Sequence, residues 1–260
     1  MKQRCRFFIF LLVFLVHAHL SMADGIVYPD FKTSMLRVKS DQDYSDPQFV
    51  RREKLYAQRN AKLKKLFCDI YEKNHVAAKK NWKTSDVRIP RMVHQIWLGP
   101  KPIPEMCLVW MQTWTQLNGW AYKLWTDKEA AEIFMHNRDL FDAAENYAEK
   151  ADILRLEVLL QFGGVYADVD YECLRPDIFD ELNKSYDFYI GFEPLEHGHT
   201  ARFNMFHICN ALMASVAQHP LLQDVVTNLR ANYYAYKNVA GVFEKTGPSY
   251  LTRMICSYEK

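Results

Sequence analysis

Apolar positions change their spacing several times along this chain, and each change predicts an element. Phe7 to Val16 is one unbroken apolar run. Asp24 to Asp46 keeps no period and reads as an extended leader on or near the surface. From Pro47, Leu55, Leu63, Leu66, Phe67 and Ile70 recur at helical spacing among Arg51, Arg52, Lys54, Arg59, Lys62, Lys64, Lys65 and Lys73. That pattern predicts a basic amphipathic helix or helix pair. Two uses stay open for it: an apolar stripe packed on the body with its lysines solvated, or a surface for anionic membrane or an acidic acceptor.

A new regime begins at Ile89-Pro90. Met92 to Trp97 reads as a short buried strand, Gly99 to Pro104 as a rigid loop, and Met106 to Gln116 as a helix. Asn118-Gly119 turns the chain into a strand over Trp120 to Trp125. A helix follows over Lys128 to His136, then a looser connection over Asn137 to Tyr147. Ala148 to Phe162 is apolar almost all round and predicts a buried helix, which Gly163-Gly164 turns into a strand over Gly164 to Val169. Asp187 to Phe192 reads as a further strand, followed by the loop Glu193-Pro194-Leu195-Glu196-His197-Gly198-His199, which is either solvated or in contact with ligand. Alternating helices and strands predict an α/β protein with parallel strands, and such sheets bind ligands beyond the strands' carboxyl ends. Trp97 and Asp168-Val169-Asp170 then share one rim.

The ends and the composition narrow this picture. Lys2, Arg4 and Arg6 before the apolar run, and Ser21-Met22-Ala23 before Asp24, give the layout of a secretory signal peptide over residues 1–23. The run has ten residues where a spanning helix needs about 20, so a membrane anchor would have to recruit His17, Ala18, His19 and Leu20. Cleavage after Ala23 leaves 30 Lys and Arg against 31 Asp and Glu and moves the formal net charge from +2 to −1. Nothing in that balance favours nucleic acid. Cys68, Cys107, Cys173, Cys209 and Cys256 remain, an odd number without CxxC spacing, so at least one thiol is unpaired within a monomer. The roughly 237 remaining residues suit one sizeable domain from residue 89, preceded by the region 24–88.

The chemistry concentrates at Asp168 and Asp170. Two close carboxylates repel unless a cation lies between them, and oxygen ligands favour Mg2+ or Mn2+. Such an ion would bridge a diphosphate and neutralise charge that builds on it. Asp152 and Arg155, three apart on the buried helix, are either a private ion pair or a ligand contact. Trp97 either fills the core or offers a flat face to a nucleobase. His94 reads as a satisfied core histidine.

With those residues in view, the chain resembles glycosyltransferase family 32 over roughly Ile89 to Pro248. The resemblance lies in Ile89-Pro90, His94-Gln95-Ile96-Trp97, Trp120 to Trp125, Ala151-Asp152-Ile153-Leu154-Arg155, Gly163-Gly164-Val165-Tyr166 and Asp168-Val169-Asp170. Asn210 to Ala214, His219-Pro220 and Thr246-Gly247-Pro248 look like its later landmarks. It implies a GT-A type nucleotide-diphosphosugar transferase fold with an N-terminal helical extension, a divalent metal (Mn2+ or Mg2+) and retention of anomeric configuration. Ile96 and Trp97 would contact a GDP- or UDP-linked donor, with Trp97 stacking on the base. Asp152 and Arg155 would contact ribose, sugar hydroxyls or phosphate, and Tyr166 would line the donor pocket. Asp168 would hold ribose and metal-bound water, and Asp170 would bind the metal. By the same resemblance the acceptor would be a glycan, glycolipid or protein and mannose the favoured sugar, while the signal-like N-terminus predicts the secretory pathway or export, with association to a membrane surface open.

Family members continue beyond the Thr-Gly-Pro landmark into a closing segment, whereas twelve residues follow Pro248 here. The resemblance therefore predicts a donor more open to water, unless Trp114, Trp120 or another aromatic closes the site. Two rival readings stay open: a catalytically degenerate carbohydrate- or partner-binding module, and a secreted effector that glycosylates a host protein. A haloacid-dehalogenase-like phosphohydrolase fits poorly, because Tyr171-Glu172 stand where that chemistry wants a hydroxyl residue.

Overall fold

The computed structural model describes residues 7–10, 51, 58, 61–74, 86–192, 207–238 and 240–258. Its six strands are β1 (Phe7–Phe10), β2 (Met92–Ile96), β3 (Ala121–Trp125), β4 (Gly164–Ala167), β5 (Phe188–Phe192) and β6 (Ile208–Ser215), in the order β1-β5-β6-β4-β2-β3. The helices are α1 (61–74), α2 (Glu105–Thr115), α3 (Asp127–Glu132), α4 (Arg138–Ala143), α5 (Tyr147–Phe162), α6 (Pro176–Ser185), α7 (Pro220–Tyr236), α8 (Val242–Lys245) and α9 (Pro248–Tyr258). The α/β class is the one expected, and β2, β3, β5, α2 and α5 match their predicted spans to within a residue.

The sheet is mixed rather than parallel. β2 pairs in parallel with β3 and β4, and β1 with β5, while β6 runs antiparallel to both of its neighbours, β4 and β5. All of β4, β5 and β6 is buried, as expected of strands covered on both faces. Phe7 to Phe10, the first part of the predicted signal run, is the strand opposite Phe188 to Gly191. The leader 24–46, the rest of residues 1–23 and the Glu193 to His199 loop lie outside the described residues.

Other departures have local causes. α3 starts one residue early because Thr126 and Glu129 form a capping box, with Thr126 N donating to Glu129 Oε2 at 3.0 Å. It stops at Glu132, since Ile133 has an extended backbone. The expected loose connection after it holds α4, pinned by buried Leu140 and Phe141. In α1, Phe67, Ile70 and Tyr71 are buried while Lys62, Lys64 and Lys65 are exposed, so the apolar stripe packs on the core. Phe67 meets Phe192 of β5 edge-on, with ring centroids 4.9 Å apart. No helix among the described residues is long and apolar enough to cross a membrane.

α5 packs against β2, β4 and β6 and, beyond the sheet, against α7. Asn146 caps its start by accepting from Glu149 N at 2.9 Å. Its exit needs both glycines. Gly163 and Gly164 have φ of +64° and +99°, and a Cβ on them would lie 2.7 Å from Ala217 N and 2.6 Å from Met92 O respectively. The chain entering β2 is held by Asn183, which is fully buried. Its carbonyl accepts from Arg88 N and Ile89 N at 2.8 and 3.0 Å, and its side-chain oxygen accepts from Tyr189 OH at 2.8 Å.

Two buried histidines tie elements together and carry a pH signature. Trp125 Nε1 donates to His94 Nδ1 at 3.1 Å, so the proton sits on Nε2, which donates to Gly163 O at 2.9 Å. His219 accepts from Leu221 N and caps α7. Burial lowers both to about 4. The unfolded chain, with histidines near 6.5, therefore takes up protons first on acidification. Stability present above pH 6.5 is lost as pH falls toward 4, by about 2 kcal/mol per histidine between pH 7 and pH 5. Urea midpoints measured across that range should fall steadily, and a flat profile would refute this account.

Candidate active site

The carboxyl ends of β2 and β4 lie side by side, with His94 opposite Tyr166, so Trp97 and Asp168 share one rim as expected. β4 ends at Ala167, two residues short of the predicted strand, and Asp168 to Tyr171 forms a turn closed by Tyr171 N donating to Asp168 O at 3.1 Å. Asp168 and Asp170 therefore sit on a turn and not on one face of a regular strand. Asp168 N still donates to Ala211 O at 2.8 Å, which keeps the start of the turn tied to β6.

Arg155 is the hub of the site. Its guanidinium lies 3.2 Å from Asp168 Oδ1 and 3.3 Å from Asp152 Oδ1, donates to Asn210 O at 2.7 Å, and stacks over the Tyr166 ring at 4.5 Å. Both sequence readings of Asp152 and Arg155 leave out this bridge to Asp168. Tyr166 OH donates to the same Asp168 oxygen at 2.5 Å. Asp152 accepts from Asn210 Nδ2 at 2.7 Å and from Thr246 Oγ1 at 2.9 Å. A buried carboxylate with this many donors is held rigidly in one place.

The electrostatics follow from burial and neighbours. Burial pushes the Asp152 carboxyl up, and Arg155, Thr246 and Asn210 counter it only in part. Burial opposes the Arg155 charge, yet Asp168, Tyr166 and Asp152 outweigh it and hold the guanidinium protonated. Burial, assisted by Asp168, raises the Tyr166 hydroxyl well above its ordinary value, so it remains a donor. Asp168 keeps 31% of its side chain exposed. Asp170 is exposed and makes no hydrogen bond or ion pair within the described residues.

Ile96 is buried in the core, which leaves its backbone for any ligand. Trp97 is partly exposed at the rim, its Nε1 donating to Lys101 O at 2.7 Å. Trp114 cannot close over the site: it is buried, with Nε1 donating to Tyr171 O at 2.7 Å. Trp120 stands edge-on to Phe179, 6.4 Å between centroids, and is likewise a packing residue.

Asn210 and Thr246 are landmarks in the sequence without a stated role. Asn210 reaches the rim because β6 runs antiparallel and brings its amino end there, which an all-parallel expectation hides. No group of three His, Cys, Asp or Glu side chains converges among the described residues. Asp168 and Asp170 still fit a hard divalent ion, because Mg2+ is commonly bound by one or two carboxylates, with substrate phosphates and water completing its shell.

Residues 104–189 match the family described as glycosyltransferase sugar-binding region containing DXD motif. An inositol phosphoceramide mannosyltransferase of Schizosaccharomyces pombe is 28% identical over 66% of this chain and 52% of its own. A mannosyl phosphorylinositol ceramide synthase of Saccharomyces cerevisiae is 29% identical over 66% of this chain and 44% of its own. An uncharacterized glycosyltransferase of Acanthamoeba polyphaga mimivirus is 26% identical over 66% of each chain. The chain spans about half the length of the Schizosaccharomyces pombe relatives it matches. Among solved structures, the PaToxG glycosyltransferase aligns with a TM-score of 0.46 and 18% identity, over 71% of this chain and 75% of that one. The matched segment 104–189 carries the Asp152 and Arg155 helix and the Asp168 to Asp170 turn, so the similarity to that family falls on the candidate site itself.

Proposed function

We propose that this chain is a metal-dependent hexosyltransferase of GT-A type, moving a hexose, with mannose favoured, from a GDP- or UDP-linked donor with retention. The observation that carries the reading is the Asp168 to Asp170 turn, one carboxylate held by Tyr166 and Arg155 and the other exposed. Trp97 offers its face to the base. Asp168, fixed at one oxygen, would hold ribose and metal-bound water, and Asp170 would hold the ion. A bound Mg2+ or Mn2+ would neutralise charge on the departing diphosphate. Arg155 keeps two carboxylates together in a site that would otherwise repel a diphosphate, and Asp152 is fixed for sugar hydroxyls. With front-side attack, the leaving diphosphate accepts the acceptor's proton, so no side-chain base is required.

The relatives' names make a lipid-borne inositol the first acceptor to test, in the secretory pathway or after export. The test is release of free nucleotide from a panel of UDP- and GDP-sugars with Mn2+, Mg2+ or chelator, with and without vesicles carrying inositol phosphoceramide. Metal-dependent release from one donor is expected, increased by the vesicles. Release from no donor under any condition would refute the reading and favour a sugar-binding module.

A further inference from the structure

Gln95 is a fully buried polar side chain on β2, between His94 and the rim. A buried amide is costly unless its donor and acceptor are both used. Here they are. Nε2 donates to Asp168 O at 3.1 Å, and Oε1 accepts from Tyr122 OH on β3 at 2.9 Å. The carbonyl that Gln95 grips is the one that Tyr171 N uses to close the turn.

The rest of that turn is held by α2. Val169, between the two carboxylates, is buried against Cys107 and Met111 of α2, in a cluster that Tyr122 and Trp97 also pack against. Trp114 of the same helix donates to Tyr171 O at 2.7 Å. Only the Asp170 side chain projects from this frame without a protein partner among the described residues. A cation site of two carboxylates depends on where the backbone presents them, because it has no further protein ligand to correct a displaced one.

We propose that Gln95, latched by Tyr122, is a positioning residue that sets where the Asp168 to Tyr171 turn presents Asp170 to a divalent cation. The inference rests on the reading of Asp170 as the metal-binding carboxylate. Gln95 is fully buried and reaches the turn through the Asp168 carbonyl. Gln95→Met keeps the length and volume of the side chain and removes both hydrogen bonds, whereas Tyr122→Phe removes only the latch.

The test uses the full chain, with Mn2+ alone as probe, titrated by loss of the free-ion paramagnetic resonance signal, and with amide hydrogen exchange across residues 168–171. Gln95→Met should raise the Mn2+ dissociation constant about tenfold, as outer-shell substitutions commonly do. It should also speed exchange of the Tyr171 amide. Tyr122→Phe should move both readouts the same way by a smaller factor, and it serves alone if Gln95→Met does not fold. Mn2+ binding lost in Asp170→Ala but unchanged in the folded Gln95→Met or Tyr122→Phe variants would overturn the positioning role while leaving the metal reading intact. Mn2+ binding unchanged in Asp170→Ala would overturn both.

Discussion

Metal-dependent nucleotide release is expected to fall at least about a hundredfold in Asp170→Ala, with no change in fold. Asp170 is exposed and unpartnered among the described residues, so truncating it removes no packing and strands no buried group. Its loss also leaves no substitute. Asp168 is already engaged by Tyr166 and Arg155, and no third cluster-forming His, Cys, Asp or Glu lies nearby among the described residues. A single remaining carboxylate would hold the ion weakly and let the diphosphate leave without charge compensation. The measurement is initial-rate nucleotide release at saturating Mn2+, alongside thermal unfolding. Activity within tenfold of the parent chain would sink the assignment.

Arg155→Leu should be the most destabilising single change in the site, by about 3 kcal/mol in urea unfolding. The substitution leaves Asp152 buried without its counter-ion and releases Asp168, while Asn210 O loses its donor. Asp168 is about a third exposed, so its share of the penalty is softened by solvent, and most of the loss comes from Asp152. That division can be tested. Arg155→Leu/Asp152→Asn removes the stranded charge, and an amide at 152 can still accept from Asn210 and donate to Thr246 if the hydroxyl turns. The double variant should therefore recover more than half of the stability while remaining inactive. A loss below about 1 kcal/mol in the single variant, or no recovery in the double, would refute this hub role.

The parts of the fold legible in the sequence are those with a local cause. α5 and its exit into β4 could be read because a helix apolar almost all round and two consecutive glycines leave few alternatives. The shared rim followed from the order of elements alone. The direction of β6 could not be read: eight buried residues without alternation fit either orientation, and that orientation alone brings Asn210 to Asp152. β4 looked longer than it is because Asp-Val-Asp itself alternates polar and apolar, as a strand's rim can. Its end is decided by contacts to the Asp168 carbonyl from Gln95, remote in sequence, and from Tyr171. The capping box at Thr126 and Glu129 was present as a local signal, and it fixes the true start of α3. The Gln95 to Tyr122 contact needs strand register, which no spacing rule supplies.

Asn183, the buried residue over which residues 88 and 89 close, is followed by Lys184 and Ser185, and Asn-x-Ser is the acceptor tripeptide for N-linked oligosaccharide. Its amide nitrogen is enclosed in the folded chain, where it faces Pro90 O. In a compartment that attaches such glycans, the tripeptide can be used only before this corner closes, and a chain modified there could no longer bury Asn183 beneath residues 88–90. In such a compartment, closure of residues 88–90 over α6 would compete with the oligosaccharide machinery for the same nitrogen.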